Sequence, residues 1–134
     1  MRKAFKIAGL IVGCSFLAVV VFIGSIGYLL SSGSIEFEPL QFSSSAWKAA
    51  KPEMTWESLR LKMVDDLMEN HLSRNQSKES VIALIGKPDD TEYFRDYDMV
   101  YYLGRERNAL GMDSEWLVFK VNNDIVKSYH LVRD

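Results

Sequence analysis

The sequence predicts an α+β domain of two helices and a three-stranded antiparallel sheet, carried behind a transmembrane helix. Three observations carry that prediction. Residues 7–30 form a run of 24 without a charge, IAGLIVGCSFLAVVVFIGSIGYLL. Apolar side chains then recur at helical spacing from Thr55 to Leu72, with a short capped helix after them. From residue 97 the apolar pattern switches to alternation, the period of a half-buried strand.

The apolar run comes first. As a helix at about 1.5 Å per residue it is roughly 36 Å long, against a hydrocarbon core of about 30 Å. Arg2, Lys3 and Lys6 precede it, whereas the first charges after it are Glu36 and Glu38. This bias predicts a cytoplasmic N-terminus and a periplasmic C-terminal domain, held at the inner (cytoplasmic) membrane by a single uncleaved span. Two other fates are written into the same residues: cleavage near Ser31-Ser32-Gly33, and lipidation of Cys14 in Ile11-Val12-Gly13-Cys14. The run continues sixteen residues past Cys14 and exceeds the 7–15 residues of a removable signal core, which favours the anchor.

Residues 31–54 are rich in Ser, contain Pro39 and Pro52, and keep no period; they read as a tether. Ile35, Phe37, Leu40, Phe42 and Trp47 are more apolar than a free tether requires, so packing on the domain and lying at the bilayer surface are both open to them. The domain proper is expected over residues 55–134. In its first helix Trp56, Leu59, Met63 and Leu67 form the inner stripe, Thr55 is the expected N-cap, and Glu57 complements the helix dipole. Ser77 caps the second helix, Val81, Leu84 and Ile85 form its buried stripe, and Gly86 with Pro88 ends it.

Strands are expected at 97–103, 115–121 and 125–132. Met99, Tyr101 and Leu103 share one face, as do Leu117, Phe119 and Val121, with Trp116 and Val118 opposite. Asn122-Asn123-Asp124 is a tight-turn signal, because Asn and Asp tolerate positive φ.

The stretch Ser77 to Asp89, SKESVIALIGKPD, resembles the S-x-x-x-V-x-x-L-L-G-x-P pattern of the SmpA/OmlA (BamE-like) envelope family. Tyr101-Tyr102-Leu103-Gly104 and the strand Leu117 to Val121, followed by a turn and Ile125-Val126, resemble that family's strand meander. The resemblance covers about residues 59–132. It implies two helices on one face of the sheet, and a role like that of small lipoproteins serving as accessory subunits of the outer-membrane barrel-assembly machine. The family usually carries a glycine before the Ser-x-x-x-V stretch, where this chain has Asn75 and Gln76. Its lipoproteins hang from an acylated cysteine, whereas this chain has a full apolar span.

Composition narrows the function. Beyond residue 30 there are 13 basic and 18 acidic residues, a net −5, which offers no footprint for nucleic acid. Cys14 is the only cysteine, so neither an intramolecular disulfide nor a Cys-based metal site can form. No cofactor motif is present. His71 follows Asp65, Asp66 and Glu69 on the first helix, a set that an enzyme or small-ligand site could use; a charged outer helix face explains it as well. Asp89, Asp90 and Glu92 lack further calcium-loop ligands. His130 is placed to meet Trp116 across the hairpin. The expected function is non-enzymatic binding of another envelope protein. The expected surface is the sheet face opposite the helices, with Tyr102, Trp116 and Val118, joined by Arg105 and Arg107 of the Gly104–Ser114 loop. Whether that face is exposed or covered by the apolar tether residues is left open by the sequence.

Overall fold

Alternating side chains and a two-residue turn build the sheet. In the computed structural model, which describes residues 37–51, 53–108 and 111–134, the strands are β1 (Met99–Arg105), β2 (Ser114–Asn122) and β3 (Ile125–Arg133). They lie in the order β1-β2-β3, antiparallel throughout. Asn123 and Asp124 close the β2–β3 hairpin at φ 51° and 59°, the left-handed pair that matches the twist of a two-residue connection. The apolar run 7–30, Cys14 and residues 31–36 lie outside the described residues. Among the described residues no helix is long and apolar enough to cross a membrane.

The folded unit starts well before residue 55. Residues 37–51, expected within the tether, lie on the domain and contain α1 (Ser44–Ala49). The Ser43 hydroxyl accepts the Ala46 N–H at its start. Trp47 is fully buried in the main core, where Phe37 and Phe42 pack as well. Phe42 donates its backbone N–H to Asp66 at 2.7 Å and Leu40 donates to the Lys62 carbonyl at 2.9 Å. The buried indole, the Phe37 and Phe42 rings and these backbone bonds together offset the entropy of ordering the strap.

The first long helix, α2, spans Leu59–Asp66 and runs into one π-helical turn, Leu67–His71. It starts later than Thr55 for a tertiary reason. The Ser58 hydroxyl points to β1, where it donates to the Leu103 carbonyl, and makes no capping bond to the helix. Thr55 instead closes a turn, accepting from the Glu57 N–H on its hydroxyl. That close approach needs Gly104: at φ 143°, a Cβ there would sit 2.8 Å from the Ser58 Cβ and 2.9 Å from the Thr55 carbonyl oxygen. The inner stripe shifts with the start, so that Leu59 is exposed and Arg60 is buried. The widened turn leaves carbonyls over, and the Tyr129 hydroxyl lies 3.1 Å from that of Leu72.

Helix α3 (Lys78–Ile85) has the expected ends: Ser77 accepts from the Ser80 N–H, and Gly86 stands at φ 87°. Asn75 also takes left-handed backbone, at φ 74°. Leu61, Met63, Val64 and Leu67 of the first long helix and its π turn meet Val81 and Ile85, and all pack on the sheet face of Met99, Tyr101, Leu103, Leu117 and Phe119.

Candidate functional site

The sheet face away from the helices carries a second, smaller apolar cluster of Val100, Trp116 and Val118, with Phe94, Tyr97, Tyr102 and Val132 around it. Residues 89–98 form a cap over it. Asp89 fastens the front end: its N–H donates to the Val100 carbonyl at 2.9 Å, and its carboxylate accepts from the Tyr102 N–H at 2.7 Å. Arg60 approaches the same carboxylate at 3.1 Å. The back end is held by Asp98, whose N–H donates to the Phe119 carbonyl and whose carboxylate accepts from the Val121 N–H. Aromatic rings gather on Trp116 beneath the cap. Tyr93 stacks on Trp116 at 5.5 Å, Phe94 meets it edge-on at 5.8 Å, and Tyr102 meets it edge-on at 4.8 Å. Phe94 sits at φ 54°, a costly conformation for a bulky side chain.

This arrangement corrects the expected surface. Trp116 is 6% exposed and Val118 fully buried, so neither offers a free ring or methyl to a partner. The cover is residues 89–98 rather than the apolar tether, because Phe37, Phe42 and Trp47 are committed to the other side of the sheet. Tyr102 is half-buried, and burial pushes its phenol pKa up. The residue presented outward is Tyr93, 54% exposed on top of Trp116. The sequence signal for this cap is the adjacent pair Tyr93-Phe94 inside a mostly polar run.

The two arginines are occupied too. Arg107 is bonded by Glu115 at 2.6 Å and by Asp65 at 2.6 Å, and its guanidinium lies over Phe37 at 5.4 Å. Burial alone would lower its pKa, but the bonds to Glu115 and Asp65 carry it upward. Arg105 lies over Trp56 at 4.7 Å, and the Trp56 indole donates to the Glu106 carbonyl. Glu106 in turn pairs with Arg133 at 2.8 Å. These are structural charges at one end of the sheet.

Of His71, Asp65, Asp66 and Glu69, the structure brings together Asp66 and His71 and leaves the other two apart. Asp65 turns to Arg107, while Asp66 accepts from Phe42 and Asn70 and stands 3.5 Å from His71. The Phe42 N–H, then Asn70 and His71, hold the Asp66 carboxyl below the usual range. His71 lies against the Phe42 ring at 4.9 Å, and Glu69 is exposed. Among the described residues no three His, Cys, Asp or Glu side chains are grouped to hold a metal. His130 pairs across the hairpin with Val118 rather than Trp116, and its ring nitrogen meets the Tyr97 hydroxyl at 3.0 Å. Tyr97 thus joins the back of the cap to β3.

Comparison of the chain with protein families, with curated proteins and with solved structures finds no match in any of the three.

Proposed function

We propose that this chain is a non-enzymatic, membrane-anchored envelope protein whose C-terminal domain binds another envelope protein, as an accessory subunit of a membrane assembly complex. The apolar run 7–30 is its single inner-membrane anchor, with the N-terminus cytoplasmic and the domain periplasmic. The domain is read as BamE-like; its helices, its three-stranded meander and the left-handed Asn75 just before Ser77 support that reading.

The observation that carries the binding role is Tyr93. An aromatic ring more than half exposed, backed by a buried indole and held at the crest of a cap, is the form a binding hot spot takes. The test is a photoreactive phenylalanine analogue at position 93 of the full chain in its native membrane, with the same residue at exposed Glu79 as control. One discrete adduct with an envelope protein at 93, absent at 79, is the expected result. Equal labelling of many proteins from both positions, or none from either, overturns the reading.

A further inference from the structure

The two outer edges of the sheet are treated differently. The β1 edge is closed: Asp89 takes the Val100 carbonyl and the Tyr102 N–H, Ser58 takes the Leu103 carbonyl, and the Thr55 carbonyl accepts the Arg105 N–H. Among the described residues, the β3 edge is closed only at its start. There Val126 exchanges bonds with Asn75 and Gln76, both at 2.9 Å, and Lys78 donates to the Asp124 carbonyl at 2.8 Å. From Lys127 to Arg133, among the described residues, no other segment's backbone pairs with the outer side. An unpaired strand edge is a template for one more strand.

The side chains on this edge select the occupant. β3 contains no acidic residue; Lys127, His130 and Arg133 are its exposed positions, with Arg133 also held by Glu106. A second copy of the chain is disfavoured. In the antiparallel register that pairs 127–133 with itself, Lys127 faces Arg133 of the other copy and His130 faces His130, so like charges oppose at both ends. An extended segment with carboxylates opposite Lys127 and Arg133 meets no such conflict. Its alternate side chains continue the face that already carries Val132 and the Tyr97–His130 pair.

We infer that the β3 edge receives one extended, acidic segment of a protein partner as a fourth strand. This rests on the protein-binding role proposed above and names the chemistry that the partner presents. The test uses the full chain in lipid nanodiscs and two synthetic peptides, Glu-Thr-Val-Thr-Val-Thr-Glu and the same sequence with Lys at both ends. Amide exchange of residues 128–132 slows about tenfold or more with the acidic peptide at saturation and stays unchanged with the basic one. The variant Lys127→Glu, which leaves the Arg133–Glu106 pair in place, abolishes the preference, because each peptide then meets one like and one opposite charge. Equal protection of the wild-type chain by both peptides, or protection by neither while the Tyr93 adduct still forms, overturns the edge site and leaves the binding role standing. Loss of both signals overturns both. A disulfide-linked dimer formed efficiently by a His130→Cys variant in which Cys14 is replaced by Ala would instead assign the edge to a second copy and overturn the acidic-segment inference.

Discussion

The Asp66 carboxylate accepts the backbone N–H of Phe42 at 2.7 Å, across 24 residues of sequence. That bond fastens the strap 37–51 to α2, and it depends on the charge of a single side chain. Asp66 has a lowered pKa, so its contribution is complete above the ordinary aspartate value and is lost as pH falls through the depressed one. Acid unfolding of the wild-type chain is therefore expected to show a component that Asp66→Asn removes. Stability measured by denaturant titration at successive pH values checks this; parallel acid limbs for both proteins would contradict it.

Trp47 contributes the largest fully buried side chain of the strap. Trp47→Ala should cost about 3–5 kcal/mol, because the strap has no second residue able to fill the space. The loss should fall well outside α1 too. Ser44 donates to the Leu84 carbonyl at 2.6 Å and Lys48 to that of Ala83 at 2.9 Å, so faster amide exchange is expected at the end of α3.

Arg107 and Glu115 test the buried charges. Glu115 is 1% exposed, and Arg107→Ala would leave its carboxylate without its main cation, at about 3–5 kcal/mol. The double change Arg107→Met/Glu115→Leu should recover most of that loss. Denaturant midpoints of the single and double variants decide it; equal destabilisation by both would show that the pair itself is favourable.

Gly104→Ala sets a Cβ against Ser58 and the Thr55 carbonyl at a φ that side chains avoid. A loss of roughly 1–3 kcal/mol is expected from the backbone alone. Ser58→Ala in the same background removes the hydroxyl but keeps the Cβ contact, so it should not rescue the variant. Thermal midpoints of the two proteins provide the measurement.

Asp124→Gly should raise stability by up to about 1 kcal/mol, because Asn-Gly fits the left-handed turn at φ 51° and 59° with less strain than Asn-Asp. The hairpin amides would report it first by slower exchange.

Much of the fold was legible because local and tertiary preferences agree there. The strand faces, the Asn123-Asp124 turn and both ends of α3 follow from alternation, φ tolerance and capping, none of which needs a distant partner. The start of α2 was not legible, since the Ser58 hydroxyl is turned toward a carbonyl 45 residues away. The strap was missed as structure because six residues of helix give no period to read. The candidate surface failed for a related reason. Alternation correctly put Trp116 and Val118 opposite the main core, but it says nothing about what covers that side. The covering rings, Tyr93 and Phe94, lie in a segment whose charged neighbours mask them.

The strap also fixes how the domain would answer a pull. Tension arriving along the chain from the N-terminal side of Phe37 would load the Leu40–Lys62 and Phe42–Asp66 bonds before any strand pair. Trp47 would follow, a ratchet tooth seated behind two catches. The first event under force would then be the peeling of about a dozen residues, with the meander still intact, and the molecule would lengthen before it unravelled.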